Sequence, residues 1–276
     1  MKLPIPVITN SGEIFDEVEI LKPKSSVIAD TKKVIDSGEV FQAIKVFLGG
    51  CIESVSNDEK SITDKINIKG MVNLIPYRSA EVILYKILVL YDPEKDAVEG
   101  VYTCPRCGYK VITEIVQTED LEVDTRDYIS SLDILYMERY ENIIIELSDP
   151  VIIKNKISDE VIDSINIIEL RHPTLADCMV AEKKYGDSDS VRMQFAMYTE
   201  ALLKINGKEI DKKYKNTNGV FIFENIKAVK EDLGILNDQI SQYGLDPFLI
   251  KKCKNCRKEF KVPINMSNFF VSGLTL

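Results

Sequence analysis

Cys104-Pro-Arg-Cys107, followed by Gly108, and Cys253-Lys-Asn-Cys256 are two copies of one spacing, 149 positions apart. Each can form a tight turn whose two sulfurs point at one cation, and four thiolates complete the tetrahedral shell of a structural zinc site. One such pair alone is weak, because redox dithiols share the spacing. Here each pair is followed by a basic strand-like run, Tyr109-Lys110-Val111-Ile112 and Lys258-Glu259-Phe260-Lys261-Val262. Together they point to a zinc ribbon in which Cys104, Cys107, Cys253 and Cys256 share one Zn2+. Two separate dithiols or a disulfide arrangement are the alternatives that the spacing leaves open.

Working outward from the cysteines, the same punctuation recurs upstream of each pair. Leu21 and Leu170, Gly70 and Gly219, and Cys104 and Cys253 all lie 149 positions apart, with Pro23/Pro173 at 150 and Gly38/Gly186 at 148. The residues between have diverged, so the inference rests on pattern. It predicts a tandem duplication: strand, proline stop, two helices, loop, short apolar run, helix, cysteine turn. The expected fold is α+β, two similar lobes of strand hairpin plus helices joined by the four-cysteine ribbon. The expected divisions are 1–117 for the first repeat, 118–150 for a connector with strands, and 151–276 for the second repeat.

In detail, Val7-Ile8-Thr9, the turn Asn10-Ser11-Gly12 and the run Ile14 to Leu21 read as a hairpin. Ser25 or Ser26 caps a predicted helix from Val27 to Ser37, and a second helix spans Glu39 to Val55. A polar loop follows to Lys69. Gly70-Met71-Val72-Asn73-Leu74-Ile75 reads as strand-like, and a helix spans Arg78 to Tyr91. Gln117 to Asp127 reads as an acidic surface loop, and Ile134-Leu135-Tyr136 and Ile143-Ile144-Ile145 as β-prone. Asp149-Pro150 marks a boundary before a hairpin begun by Val151-Ile152-Ile153. In the second repeat, Ile167 to Leu170 is a strand, and Thr174-Leu175-Ala176-Asp177 resembles a capping box opening a helix to Tyr185. Helices Ser190 to Ile205 and Ile226 to Tyr243 follow, separated by a polar loop to Asn218 and the strand-like run Gly219-Val220-Phe221-Ile222-Phe223. Met266 to Val271 is an apolar tail, packed back on the ribbon or presented to a partner.

The 276 residues carry 45% hydrophobic and 29% charged side chains, the composition of a globular protein. No apolar run is of bilayer-crossing length and Met1 to Pro6 lacks a signal-peptide core, so a cytoplasmic setting with reduced thiols is expected. A net charge of −9 argues against nucleic acid as the main partner. The basic segment Lys251 to Lys258 touches an acidic surface or, more simply, solvates the ribbon. The single histidine, His172, precedes Pro173 and reads as structural. No nucleophile–base set and no glycine-rich phosphate loop is legible, so no catalytic residue, small-molecule substrate or further cofactor is expected. Cys51 and Cys178 read as small core residues. A four-cysteine zinc has no open position for water, so its expected role is bracing.

The order of a short apolar run, the helix Arg78 to Leu88 and Gly100-Val101-Tyr102-Thr103-Cys104-Pro105-Arg106-Cys107-Gly108 resembles the baseplate hub assembly proteins of T-even-type phages. So does the order Ile168-Glu169-Leu170-Arg171-His172-Pro173-Thr174, helices, paired cysteines, Asn268-Phe269-Phe270. The resemblance covers most of each repeat through short motifs. It implies a non-enzymatic structural or assembly component of a contractile phage tail baseplate. Its partners would be other baseplate or tail-hub proteins, and its location the host cytoplasm during assembly or the virion tail. The alternative is a zinc-ribbon adaptor in transcription or another nucleic-acid process.

Overall fold

The computed structural model describes residues 1–91, 98–115, 134–155, 158–186, 189–245, 248–253 and 255–263. The first hairpin forms as the sequence predicts. Strands β1 (Lys2–Ile8) and β2 (Ile14–Ile20) pair antiparallel across a turn closed by the Gly12 N–H on the Thr9 carbonyl, 2.9 Å. Phe15 and Val18 are buried on β2 while Glu17 between them is exposed; three positions apart, the two do not follow simple alternation, and the ladder to β1 slips register here.

Helices α1 (Ser25–Ile35) and α2 (Val40–Cys51) follow. Neither serine caps α1. The capping position is Lys24, whose extended backbone turns the chain in after Pro23, so the helix starts inside the serine pair. The helix expected to reach Val55 stops at Cys51, and the chain passes without a turn into strand β3 (Ile52–Ser56), then β4 (Ser61–Ile62). Gly49 and Gly50, in the last turn of the helix, weaken it just before this switch, but they do not place it. It is set by the ladder, because Glu17, Val18, Glu19 and Ile20 of β2 supply partners to Ser56, Val55, Ser54 and Ile52.

A second correction concerns Gly70 to Ile75: Gly70 to Leu74 is helix rather than strand, and Ile75 is its extended C-cap. Asp64 accepts hydrogen bonds from the N–H groups of Ile66 and Asn67 and starts helix α3 (Lys65–Leu74) inside the expected loop. Ile68, Met71 and Val72 then fall on one buried face, the spacing of a helix. Helix α4 (Tyr77–Tyr91) follows almost at once, and β5 (Val98–Thr103) and β6 (Lys110–Ile115) form the hairpin around the first cysteine pair.

Strand β7 (Ile134–Leu135) pairs with the later β12 (Gly244–Leu245). The boundary expected at Asp149-Pro150 lies inside one strand, β8 (Ile143–Lys154), paired with β9 (Val161–Leu170). The ladder slips register between Glu146 and Val151, and a bulge is where a strand tolerates a proline with no N–H. Helix α5 (Leu175–Tyr185) opens with the predicted capping box: Asp177 Oδ2 accepts from the Thr174 N–H at 2.7 Å. Helix α6 (Ser190–Ala201) ends four residues before the expected Ile205, where β10 (Leu202–Ile205) begins and pairs with β9 and with β11 (Lys208–Glu209). Gly219 to Phe223 belongs to helix α7 (Lys212–Glu224), not to a strand. The helix expected over Ile226 to Tyr243 is a π turn, Val229–Leu233, leading into α8 (Gly234–Ser241). β13 (Phe248–Lys252) and β14 (Glu259–Pro263) form the hairpin around the second cysteine pair. The acidic loop Gln117 to Asp127, Asp246-Pro247 and the tail Met266 to Val271 lie outside the described residues.

The fold is therefore α+β, with two four-stranded antiparallel sheets ordered β1-β2-β3-β4 and β8-β9-β10-β11. Each sheet covers its own apolar core, one around Phe15, Phe47 and Leu48, the other around Ile168, Tyr198 and Phe223.

The cores are tied by a polar seam at the start of α4. The Tyr77 N–H bonds to the Pro173 carbonyl (2.8 Å), and the Leu175 N–H to that of Ile75 (3.0 Å). The Glu182 carboxylate accepts the Phe41 N–H with both oxygens at 3.2 Å. Arg78 pairs with Glu81, both buried, and donates to the carbonyls of half-buried Tyr243 (3.1 Å) and buried Leu245. Burial raises the Glu81 carboxyl, and the Arg78 charge opposes that. Without Arg78, a buried acid would have no counter-ion.

Candidate metal centre

All four cysteines named from the sequence converge. The Sγ atoms of Cys104, Cys107, Cys253 and Cys256 lie within 4.8 Å of one another. The close pairs run across the two hairpins: Cys104 to Cys256 at 3.7 Å and Cys107 to Cys253 at 3.6 Å. Thus the first cysteine of each turn faces the second cysteine of the other. A disulfide requires sulfurs about 2.05 Å apart, so these contacts are not disulfides. A tetrahedral shell with ligands at about 2.3 Å places its sulfurs about 3.8 Å apart, which the two close pairs match. The four cysteines can therefore hold a metal ion.

The backbone makes this possible in the same way twice. In the first turn the Gly108 N–H bonds to the Cys104 carbonyl (2.9 Å), and the Cys104 N–H to the Tyr109 carbonyl (2.9 Å). In the second, the Arg257 N–H bonds to the Cys253 carbonyl (2.8 Å), and the Cys253 N–H to the Lys258 carbonyl (2.9 Å). The residue after the second cysteine must take the left-handed conformation: Gly108 at φ 68° and Arg257 at φ 57°. Glycine does so freely, whereas a side chain there costs about 1 kcal/mol. Cys104 and Cys253 are each 1% exposed, while Cys107 faces solvent.

The electrostatics suit a cation. The Tyr109 N–H pulls Cys107 down to about 6. Desolvation pushes Cys104 up, yet the N–H groups of Cys107 and Arg106 outweigh it and leave this thiol below its ordinary range. Cys256 receives the Lys258 N–H, which lowers it, but desolvation and the three neighbouring sulfurs prevail and push it to about 11. Four sulfurs this close cannot all be thiolates with protons alone to balance them. A divalent cation removes the conflict.

Asn255, inside the second turn, donates from Nδ2 toward Cys107 Sγ at 3.7 Å, a support that the spacing alone did not single out. Arg78 and Glu81 were also missed, although a charged pair three apart on an apolar helix is a legible sign of a buried ion pair. His172, read from the sequence as structural, lies inside the fold. It is 3% exposed, lies edge-on to Tyr140 and Tyr243 (ring centroids 5.8 and 6.2 Å), and burial pushes it down to about 4. Cys51 and Cys178 are core residues, with Cys178 Sγ 3.5 Å from Met197 Sδ. Among the described residues no helix is long and apolar enough to cross a membrane. No protein-family model, no curated protein and no solved structure matches the chain.

Proposed function

We propose that Cys104, Cys107, Cys253 and Cys256 hold one Zn2+ as a brace between two similar lobes of a non-enzymatic, protein-binding component of a contractile phage tail baseplate. The observation that carries the bracing role is the convergence of four thiols from turns 149 positions apart at near-tetrahedral separations. Four thiolates and tetrahedral spacing favour zinc over harder cations. Such a shell is closed, so the ion activates no water, and its effect is to couple the folding of the two hairpins.

The two-lobe reading is supported by the recurrence of element order. Each sheet has two helices between its second and third strands, then two helices and a cysteine hairpin after its fourth. The baseplate setting rests on the sequence motifs around Arg78 to Gly108 and Ile168 to Thr174. Function then resides in the surfaces that the brace holds, toward other baseplate or tail-hub proteins, in the host cytoplasm during assembly or in the virion tail. Mass spectrometry of purified virions, and of partners captured during infection, tests the setting. Recovery of baseplate or hub subunits supports it, whereas recovery of only ribosomal or polymerase subunits sinks it.

The second reading, a zinc-ribbon adaptor acting on nucleic acid, is favoured by Lys251, Lys252, Arg257 and Lys258 flanking the second turn. The net charge of −9 opposes it. Tight binding of DNA or RNA in a low-salt gel shift would select the adaptor.

A further inference from the structure

Far from the cysteines, helices α1, α2 and α3 enclose a groove of about 470 Å³, within the range of small-molecule sites. Its shape follows from glycines. At Gly50 the first two helices are in close contact, since a Cβ there would lie 2.5 Å from Val27 Cγ1. Opposite, α3 stands away: a Cβ on Gly70 would meet nothing within 4 Å, and one on Gly49 only Lys69 Cγ at 3.7 Å.

The lining is chemically specific. Val27 and Val46 supply apolar wall, and Lys45 and Lys69 supply two ammonium groups without a hydrogen-bond or ion-pair partner among the described residues. Asp30, the one carboxylate on the lining, is engaged by Lys33 at 3.1 Å. Asn73 also lines the groove.

The second half closes the same place. One hundred and fifty positions after Lys45 and Gly49, α6 carries Phe195 and Thr199. Phe195 stacks on Phe223 of α7 at 6.3 Å between centroids, and Thr199 Cγ2 sits 2.1 Å from where a Cβ on Gly219 would lie. The layout that is plugged by an aromatic pair and a methyl group in one half is open and cationic in the other.

We infer that the α1–α2–α3 groove binds a small organic anion with an apolar body. The anion lies between Lys45 and Lys69, and the apolar body against Val27 and Val46. This site is independent of the metal centre and of the baseplate reading.

Two dyes test it on the intact, metal-loaded protein. Anilinonaphthalene sulfonate carries the anion, the aromatic body and an N–H. N-phenylnaphthylamine lacks only the anion. The expected result is saturable binding of one sulfonate dye per chain, weakened about tenfold in Lys45→Met/Lys69→Met, with the neutral dye unaffected by those changes. Lys45→Phe, which installs the second half's residue, abolishes both. Thermal melts confirm folding, and the lysine variants alter only groove-facing ammonium groups should Lys45→Phe fold poorly. No saturable binding, or equal binding by wild type and Lys45→Met/Lys69→Met, overturns the assignment.

Discussion

In the first sheet Ile20 faces Ile52, and in the second Leu170 faces Leu202, each partner standing 150 positions after its counterpart. Both ladders slip register beside that pair, and the outer hairpins slip as well, one between Lys2 and Val7, the other between Glu146 and Val151 and again between Ile153 and Lys154. The cysteine turns match as closely, with Gly108 and Arg257 in the same left-handed conformation. The helix seams do not match: Lys45 and Gly49 leave a groove where Phe195 and Thr199 fill one. The contrast has a physical reason. A one-residue slip in a ladder turns every side chain to the wrong face, and a turn that loses its hydrogen bonds loses its ligand geometry. A seam between helices tolerates exchange of large for small residues if the rest of the core holds.

The strongest way to break the comparison is through the metal. Cys104→Ser and Cys253→Ser occupy equivalent places, so each is expected to remove the ion and to lower stability by a similar amount, on the order of 5 kcal/mol. Chelation should do the same to wild type. Metal analysis and thermal melts check this, and an unchanged melting temperature in either variant would refute a shared site.

Next in size is the seam between the cores. Arg78→Met strands the Glu81 carboxyl and the carbonyls of Tyr243 and Leu245, and should cost about 3–5 kcal/mol by chemical denaturation. Arg78→Met/Glu81→Leu should recover part of that loss, because both buried charges are then gone.

His172 gives a pH signature. Burial holds it near 4 in the folded chain against about 6.5 unfolded, so the unfolded state binds the extra proton. Its contribution is therefore intact above about pH 6.5 and is lost as pH falls toward 4, by on the order of 3 kcal/mol. His172→Phe should flatten the loss of stability across that window relative to wild type.

The smallest effect separates the two turns. Arg257→Gly relieves a left-handed side chain and is expected to stabilise the protein by about 1 kcal/mol, while Gly108→Ala destabilises it by a similar amount. Equal and opposite shifts in melting temperature would show that the turns are energetically alike.

Most of the candidate site was legible. Paired cysteines at a fixed spacing, each followed by a strand, state their own geometry, because two residues between ligands is what a tight turn needs to aim both sulfurs one way. The capping box at Thr174 and Asp177 was legible for a similar reason, since a cap is a contact within four residues. The runs Gly70 to Ile75 and Gly219 to Phe223 were misread in the same direction. A short apolar run has no period of its own, and the helices that claim them begin at Asp64 and Asp211, well upstream.

What the sequence by itself determined was thus punctuation: where turns fall, where α5 starts, and which four sulfurs belong together. These features are local, made by side chains acting on backbone a few residues away. The tertiary structure alone decided that Cys51 ends a helix and Ile52 begins a strand, that Arg78 is buried against Tyr243 and Leu245, and that one helix seam is open while the other is filled. Each of those outcomes depends on partners distant in the chain. Close packing and hydrogen-bond satisfaction fix them only once both sides of the contact are in place.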